Sequence, residues 1–204
     1  MKLYYTPGVC SLAPHIVLRE AGYEFELEKV NLKTKKTEFG EDFSVLNDKS
    51  SVPFLVLDNG ETLTEGAAIL QYLADQKPET NLAPTNGTME RVHLQEWLSY
   101  ISTEVHKTHW PLFYTDQVGE QASQVYLKKL KKAYGYVSNA LQGKQYLMGD
   151  RFTVADAYMY TVLNWHNFIK VDMSPWPVLV EYQKLVAARP KVQEALKAEG
   201  LIKT

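Results

Sequence analysis

The single cysteine of the chain, Cys10, stands where sulfur chemistry is favoured. It follows a short apolar run, Leu3-Tyr4-Tyr5, and a Pro7-Gly8 turn, and it directly precedes a helical stretch. At a helix start, free backbone amides and the positive end of the helix dipole favour thiolate over thiol and lower the pKa. The thiolate is the nucleophile, so this placement suits redox or transfer chemistry, the alternative being a small buried thiol that only packs. Without a second cysteine, Cys10 cannot run a dithiol cycle alone, and its partner sulfur has to arrive as a small thiol. Tyr5 and Ser11 offer hydroxyl donors to a bound sulfur.

Other groups suit the ligand that such a sulfur would meet. Val52-Pro53 precedes the apolar run Phe54-Leu55-Val56-Leu57. A cis proline there would leave the backbone of Val52 free to pair with an extended peptide, although the same dipeptide also serves simply to start a strand. Glu65-Gly66 opens a helix after Thr64, offering backbone amides to a carboxylate and a side chain to an ammonium group, or acting as an ordinary cap. Further on, His106 and Lys107 could set positive charge or a donor beside a thiolate. His106 and His109 are three apart, but no third ligand lies at a suitable local spacing, so no metal is expected. Trp110, Phe113, Tyr114 and Trp165, with His109, suit the wall of an apolar pocket, or plain core.

The elements that must position these residues change rhythm along the chain. Leu3-Tyr4-Tyr5 reads as a strand and Ser11 to Ala21 as a helix, with Leu12, Ile16 and Leu18 apolar and Pro14 tolerated in the first turn. Phe25 to Val30 alternates as a half-buried strand, and a weaker helical stretch runs near Glu41 to Leu46. The buried strand after Pro53, the Asp58-Asn59-Gly60 turn and Thr62-Leu63-Thr64 form a hairpin, followed by a helix over Glu65 to Asp75. Residues 77–87, rich in Pro, Asn and Gly, form a linker between a domain over 1–80 and an all-helical one over 87–204. Helices are expected at Thr88 to about Tyr114, Gln121 to Leu141, Val154 to Ile169, Pro177 to Ala188 and Lys191 to Ala198. Thr153-Val154-Ala155-Asp156 reads as a capping box, with Phe152 as its hydrophobic staple.

The bulk properties exclude several classes. With a net charge of -2 there is no broad attraction for nucleic acid or an anionic membrane. No apolar run approaches the roughly 20 residues of a spanning helix. The amino terminus shows no signal-peptide pattern, and one cysteine fits a reducing compartment, so a cytoplasmic protein is expected.

Taken together, Lys2 to Tyr5, Gly8 to Leu12, Val52-Pro53, Leu63 to Gly66, Glu104 to Lys107 and Gly149 to Ala157 resemble the bacterial glutathione S-transferases of the beta class, along essentially the whole chain. The resemblance implies an α/β thioredoxin-like N-terminal domain plus an all-α C-terminal domain, a homodimer, and glutathione as co-substrate between the domains. It implies that Cys10 contacts the glutathione sulfur and can form a mixed disulfide, and that Val52, before a cis Pro53, pairs with the tripeptide backbone. Glu65 and Gly66 would hold the γ-glutamyl end and Lys35 the glycine carboxylate. His106 would sit beside the sulfur with Lys107 nearby. Ser99, Thr103 and Glu104 would reach glutathione in the neighbouring subunit; family members often carry Asn at the position of Ser99, so this contact is expected to be lost or bridged by water. The implied activity is conjugation of glutathione to small apolar electrophiles, a detoxification reaction. The alternatives are glutathione-dependent thiol-disulfide reduction or peroxidase chemistry at Cys10, or a non-catalytic binding protein on the same fold.

Overall fold

The structure, a computed structural model, describes residues 1–203. By internal contacts it comprises two compact units, Met1–Ala83 together with the chain from Arg189 onward, and Pro84–Ala188. The C-terminal helix expected in the helical domain is therefore part of the first unit.

The first unit is built on a five-stranded mixed sheet of order β3-β2-β1-β4-β5. Its strands are β1 (Lys2–Tyr5), β2 (Glu26–Asn31), β3 (Lys36–Thr37), β4 (Phe54–Val56) and β5 (Thr62–Leu63). β1 runs parallel to β2 and antiparallel to β4, so the crossover between β1 and β2 is made by a helix, α1 (Leu12–Glu20). Pleating sends successive residues of β1 to opposite faces. Tyr4 joins Val30, Phe43, Val52 and Phe54 in one cluster, in which Phe43 comes from the one-turn helix α2 (Phe43–Leu46). Tyr5 faces the other way, with its ring centroid 6.2 Å from that of His15 on α1. Leu12, Ile16, Val17 and Leu18 of α1 are almost wholly buried, and each such side chain contributes about 1.5–3 kcal/mol. Helix α3 (Gly66–Gln76) packs beside α1.

The second unit is all helical. Helices α4 (Met89–Tyr100) and α5 (Lys107–Phe113) are followed by α6 (Thr115–Val118), α7 (Glu120–Ala140), α8 (Val154–Leu163) and α9 (Pro177–Ala187). The last helix, α10 (Pro190–Ala198), belongs to the first unit and packs on α1. Two expected helices are interrupted. The stretch from Thr88 to Tyr114 is broken by a π-helical turn at Ile101–His106, and the one from Val154 to Ile169 tightens into a 3₁₀ turn at Asn164–Asn167. In a π turn the hydrogen bond spans one residue more, which rotates every later side chain about the axis. Pro111, inside α5, has no amide to return to the preceding turn.

Every residue of α8 is buried, and its start is pinned by the capping box foreseen from sequence. The Asp156 carboxylate accepts from the Thr153 amide (2.8 Å), the Thr153 hydroxyl (2.9 Å), the Leu147 amide (2.9 Å) and the Tyr182 hydroxyl (3.0 Å). Burial pushes this carboxyl up to about 6 against the pull of those donors.

Candidate functional site

Cys10 is presented by a loop fastened at several points. The Thr6 amide donates to Ser11 Oγ at 3.1 Å, Ser11 Oγ donates back to the Thr6 carbonyl, and the Thr6 hydroxyl reaches the Val30 carbonyl at 2.6 Å. Gly8, at φ 72°, takes the left-handed conformation that glycine alone adopts cheaply, and its amide donates to Glu199 Oε2 at 2.8 Å. Glu199, just past α10, also accepts from His15 Nδ1 (2.8 Å), and His15 Nε2 accepts from Arg19 Nε (2.8 Å). Leu201 Cδ2 lies 3.3 Å from where a Cβ on Gly8 would stand, which closes the position to larger residues. The C-terminal segment thus holds the turn before the cysteine.

Within this frame the Cys10 thiol donates to the Val52 carbonyl at 3.1 Å, a bond that exists only while the sulfur carries its proton. The Val52-Pro53 peptide is cis. Pro53 Cγ lies 3.9 Å from where a Cβ on Gly66 would be, so the Val-Pro and Glu-Gly motifs are neighbours. Glu65 caps α3 with φ 66° and a side chain 72% exposed, whose Oε1 accepts from Lys49 Nζ at 2.7 Å. The Lys35 ammonium donates to the Ser50 carbonyl at 2.9 Å, two residues before Val52. Cys10, Val52, Pro53, Gly66 and Glu65 therefore form one continuous row, with Lys35 beside it.

Ser11 departs from expectation. Its hydroxyl is fully buried and both donates to and accepts from Thr6, so it is committed to the loop and cannot serve a bound sulfur. Tyr5 is also buried, and burial together with the nearby Glu199 raises its hydroxyl above the usual tyrosine range. Its ring faces α1, so it too supports the loop.

In the second unit, His106 ends the π turn. Its Nδ1 lies 2.7 Å from the Tyr158 hydroxyl, and its ring meets Trp165 edge-on with centroids 4.9 Å apart. Trp165 is a hub, also packing edge-on against His109 (5.4 Å) and Phe113 (5.6 Å). His109, expected as a pocket wall, is fully buried, with Nδ1 donating to the Val105 carbonyl and Nε2 accepting from Tyr134. It packs against Phe113, Tyr134 and Trp165 inside the unit. Trp110 and Tyr114 pack with tilted rings, centroids 4.9 Å apart, and, with Phe113, are the exposed members of the aromatic set. The Thr103 hydroxyl bonds the Ser99 carbonyl, and Glu104 pairs with Lys129 at 3.2 Å; Lys107 is exposed.

Desolvation lowers the His109 imidazole from 6.5 to about 4. A base held neutral in the fold stabilises it above the unfolded value and loses that contribution as pH falls from 6.5 towards 4. The gap of about 2.5 units corresponds to about 3 kcal/mol. Asp156, raised from 3.8 to about 6, acts in the opposite sense over nearly the same range. The difference between wild type and His109→Gln therefore isolates the histidine: chemical denaturation from pH 4 to 7 should show the wild type gaining about 3 kcal/mol relative to the variant. Parallel curves would contradict the buried neutral imidazole.

Comparison with known proteins decides the family. The family model described as Glutathione S-transferase, N-terminal domain, matches residues 9–76, and that of the C-terminal domain matches residues 100–190. Glutathione S-transferase GstA of Escherichia coli O157:H7 is 45% identical over 201 residues, covering 98% of this chain and 100% of that protein. The chain belongs to the glutathione S-transferase family. A sphingomonad glutathione S-transferase solved with glutathione is 45% identical with TM-score 0.94, covering 99% of this chain and 100% of that one. The beta-class glutathione S-transferase of Sphingomonas chungbukensis matches with the same identity, TM-score and coverage. Both units of this transferase thus have the family's fold, a thioredoxin-like sheet unit and a helical unit.

The residues of the transferase that sequence reasoning missed are those whose partners are remote. Lys49 pairs with Glu65 across 16 positions, Tyr158 with His106 across 52, and Glu199 with Gly8 across 191. Tyr158 lies on a helix buried all round, where nothing in the pattern separates it from core. Among the described residues there is no group of three or more His, Cys, Asp or Glu that could hold a metal ion, and no helix is long and apolar enough to cross a membrane.

Proposed function

We propose that the protein binds glutathione along the row from Cys10 to Glu65 and joins it through its sulfur to small apolar electrophiles. The observation that carries this reading is the row itself: a thiol, the backbone of Val52 before a cis proline, and a carboxylate at the start of α3, in the order in which a γ-glutamyl tripeptide presents sulfur, peptide and ammonium. The Lys35 ammonium serves the glycine carboxylate, and Glu65 with the Gly66 amide serves the γ-glutamyl end. His106, with Lys107 nearby, supplies a donor and positive charge to the anionic sulfur. Phe113, Trp110 and Tyr114 offer the apolar surface for the electrophile. Glutathione as a thiol is a weak nucleophile, so the site works by favouring its thiolate. On a chlorinated aromatic the thiolate attacks the ring carbon, a C–S bond forms, and chloride leaves.

Cys10 favours a second use of the same site. Its sulfur is only part-buried, and a thiolate there attacks a glutathionyl disulfide, releasing the substrate thiolate. Free glutathione thiolate then attacks the mixed disulfide, forming glutathione disulfide and returning Cys10 as thiolate. The functional unit is proposed as a cytoplasmic homodimer, in which Ser99, Thr103 and Glu104 serve the neighbouring subunit's glutathione.

The test assays conjugation of a chlorinated aromatic beside disulfide reduction, in wild type and Cys10→Ala. Wild type should show both activities. The variant should lose reduction by at least 100-fold, the scale of removing a nucleophile, and keep measurable conjugation. Wild-type rates at background in both assays would overturn the reading.

A further inference from the structure

His106 and His109 lie three apart around the end of the π turn, and each ring is bonded through one nitrogen to a tyrosine hydroxyl: His106 Nδ1 to Tyr158 at 2.7 Å, His109 Nε2 to Tyr134 at 2.9 Å. For His109 the proton can be placed. Its Nδ1 faces the Val105 carbonyl, which only accepts, so Nδ1 carries the hydrogen and Nε2 offers its lone pair to Tyr134. Tyr134 is therefore a donor.

The same chemistry governs the other pair. An imidazole nitrogen lone pair is a better acceptor than a phenol oxygen, and a phenol O–H is a better donor than an imidazole N–H. We propose that Tyr158 is a positioning residue, whose hydroxyl donates to His106 Nδ1 and thereby fixes His106 as the tautomer with its hydrogen on Nε2. The two histidines then hold opposite tautomers, His109 set by the Val105 carbonyl and His106 by the Tyr158 hydroxyl.

The packing supports a held ring. Tyr158 and Trp165 are seven apart, two helical turns, and both touch His106: Tyr158 through its hydroxyl, with ring centroids 5.8 Å apart, and Trp165 edge-on at 4.9 Å. Tyr158 is buried, on a helix whose start is fixed by the Asp156 carboxylate only two residues earlier. The imidazole thus has its rotation limited by Trp165 and its proton assigned by Tyr158.

The consequence rests on the glutathione reading above. A donor N–H at Nε2 stabilises an anionic sulfur, whereas an unprotonated Nε2 would repel it. Tyr158 would thus act on the reaction without touching substrate, and its loss should show in turnover more than in glutathione binding.

The experiment has two arms. In the first, ring-nitrogen NMR of the full-length, unliganded protein reads the His106 tautomer directly. The wild type should show the hydrogen on Nε2, and Tyr158→Phe, which removes only the hydroxyl, should show mixed or exchanging tautomers. A wild-type hydrogen on Nδ1, or an unchanged spectrum in the variant, would overturn the proposal, and neither outcome involves glutathione. In the second, steady-state conjugation by Tyr158→Phe should show kcat lowered about fivefold, with KM for glutathione within twofold of wild type. A raised KM with unchanged kcat would contradict the positioning role. Failure of glutathione to bind the wild type, with the tautomers as expected, would sink the functional reading and leave the tautomer assignment standing.

Discussion

Replacing Asp156 with alanine lowers the thermal midpoint by about 10 °C, through a loss of about 4 kcal/mol at 2–4 °C per kcal/mol for a chain of this size. The magnitude follows from what the carboxylate holds. Two backbone amides, of Leu147 and Thr153, and two hydroxyls, of Thr153 and Tyr182, donate to it in a fully buried setting. A buried donor left without an acceptor costs about 1–3 kcal/mol, and losing a helix cap costs about 1 kcal/mol. The burial that raises this carboxyl offsets part of the sum, because the charge is itself costly to hold. Asparagine would recover little, since its amide nitrogen would face donors. Scanning calorimetry of the variant checks the prediction, and a midpoint within about 2 °C of wild type would show that the bonds add little net stability. The effect would extend to the site, because α8 carries Tyr158 and the segment after it carries Trp165.

How much of this was legible in the sequence follows from the range of each interaction. The Thr153–Asp156 box was readable because both halves lie within one turn and use residue types that do little else together. The further partners of Asp156, Leu147 and Tyr182, stand 9 and 26 residues away and leave no local trace. The placement of Cys10 was readable for the same reason as the box: a turn, a thiol and a helix start are adjacent. The misreading of Ser11 came from its hydroxyl bonding Thr6, five residues back across the turn, a choice that no residue type announces. The π turn was hidden because Leu94, Leu98, Ile101 and Val105 continue an α-like period straight through it, and a six-residue π segment leaves that spacing undisturbed. Assigning the C-terminal helix to the helical domain treated sequence order as spatial order. The buried Glu199, bonded to Gly8 and His15, and the Arg189–Glu20 pair at 2.7 Å tie that segment to α1 and its preceding turn.

The second large effect is expected at Glu65. Its side chain is exposed and pairs with Lys49 in the unliganded protein, a contact of the kind worth about 0–1 kcal/mol and so readily exchanged for a ligand's ammonium. A charged hydrogen bond to that ammonium is worth about 1.5–3 kcal/mol, so Glu65→Gln should weaken glutathione roughly 10- to 100-fold while leaving the fold intact. The α3 start keeps its backbone geometry in the variant, because the Glu65 carbonyl, not its carboxylate, accepts from Ala68 and Ile69.

The central claim, that the single thiol of the chain faces the pocket of a γ-linked tripeptide, is tested most directly by alkylating Cys10 at a fixed pH while glutathione is titrated in. Wild type should be shielded with a saturating dependence on glutathione, and Glu65→Gln should need 10- to 100-fold more ligand for the same protection. Alkylation at one rate with and without glutathione, in wild type, would contradict the account.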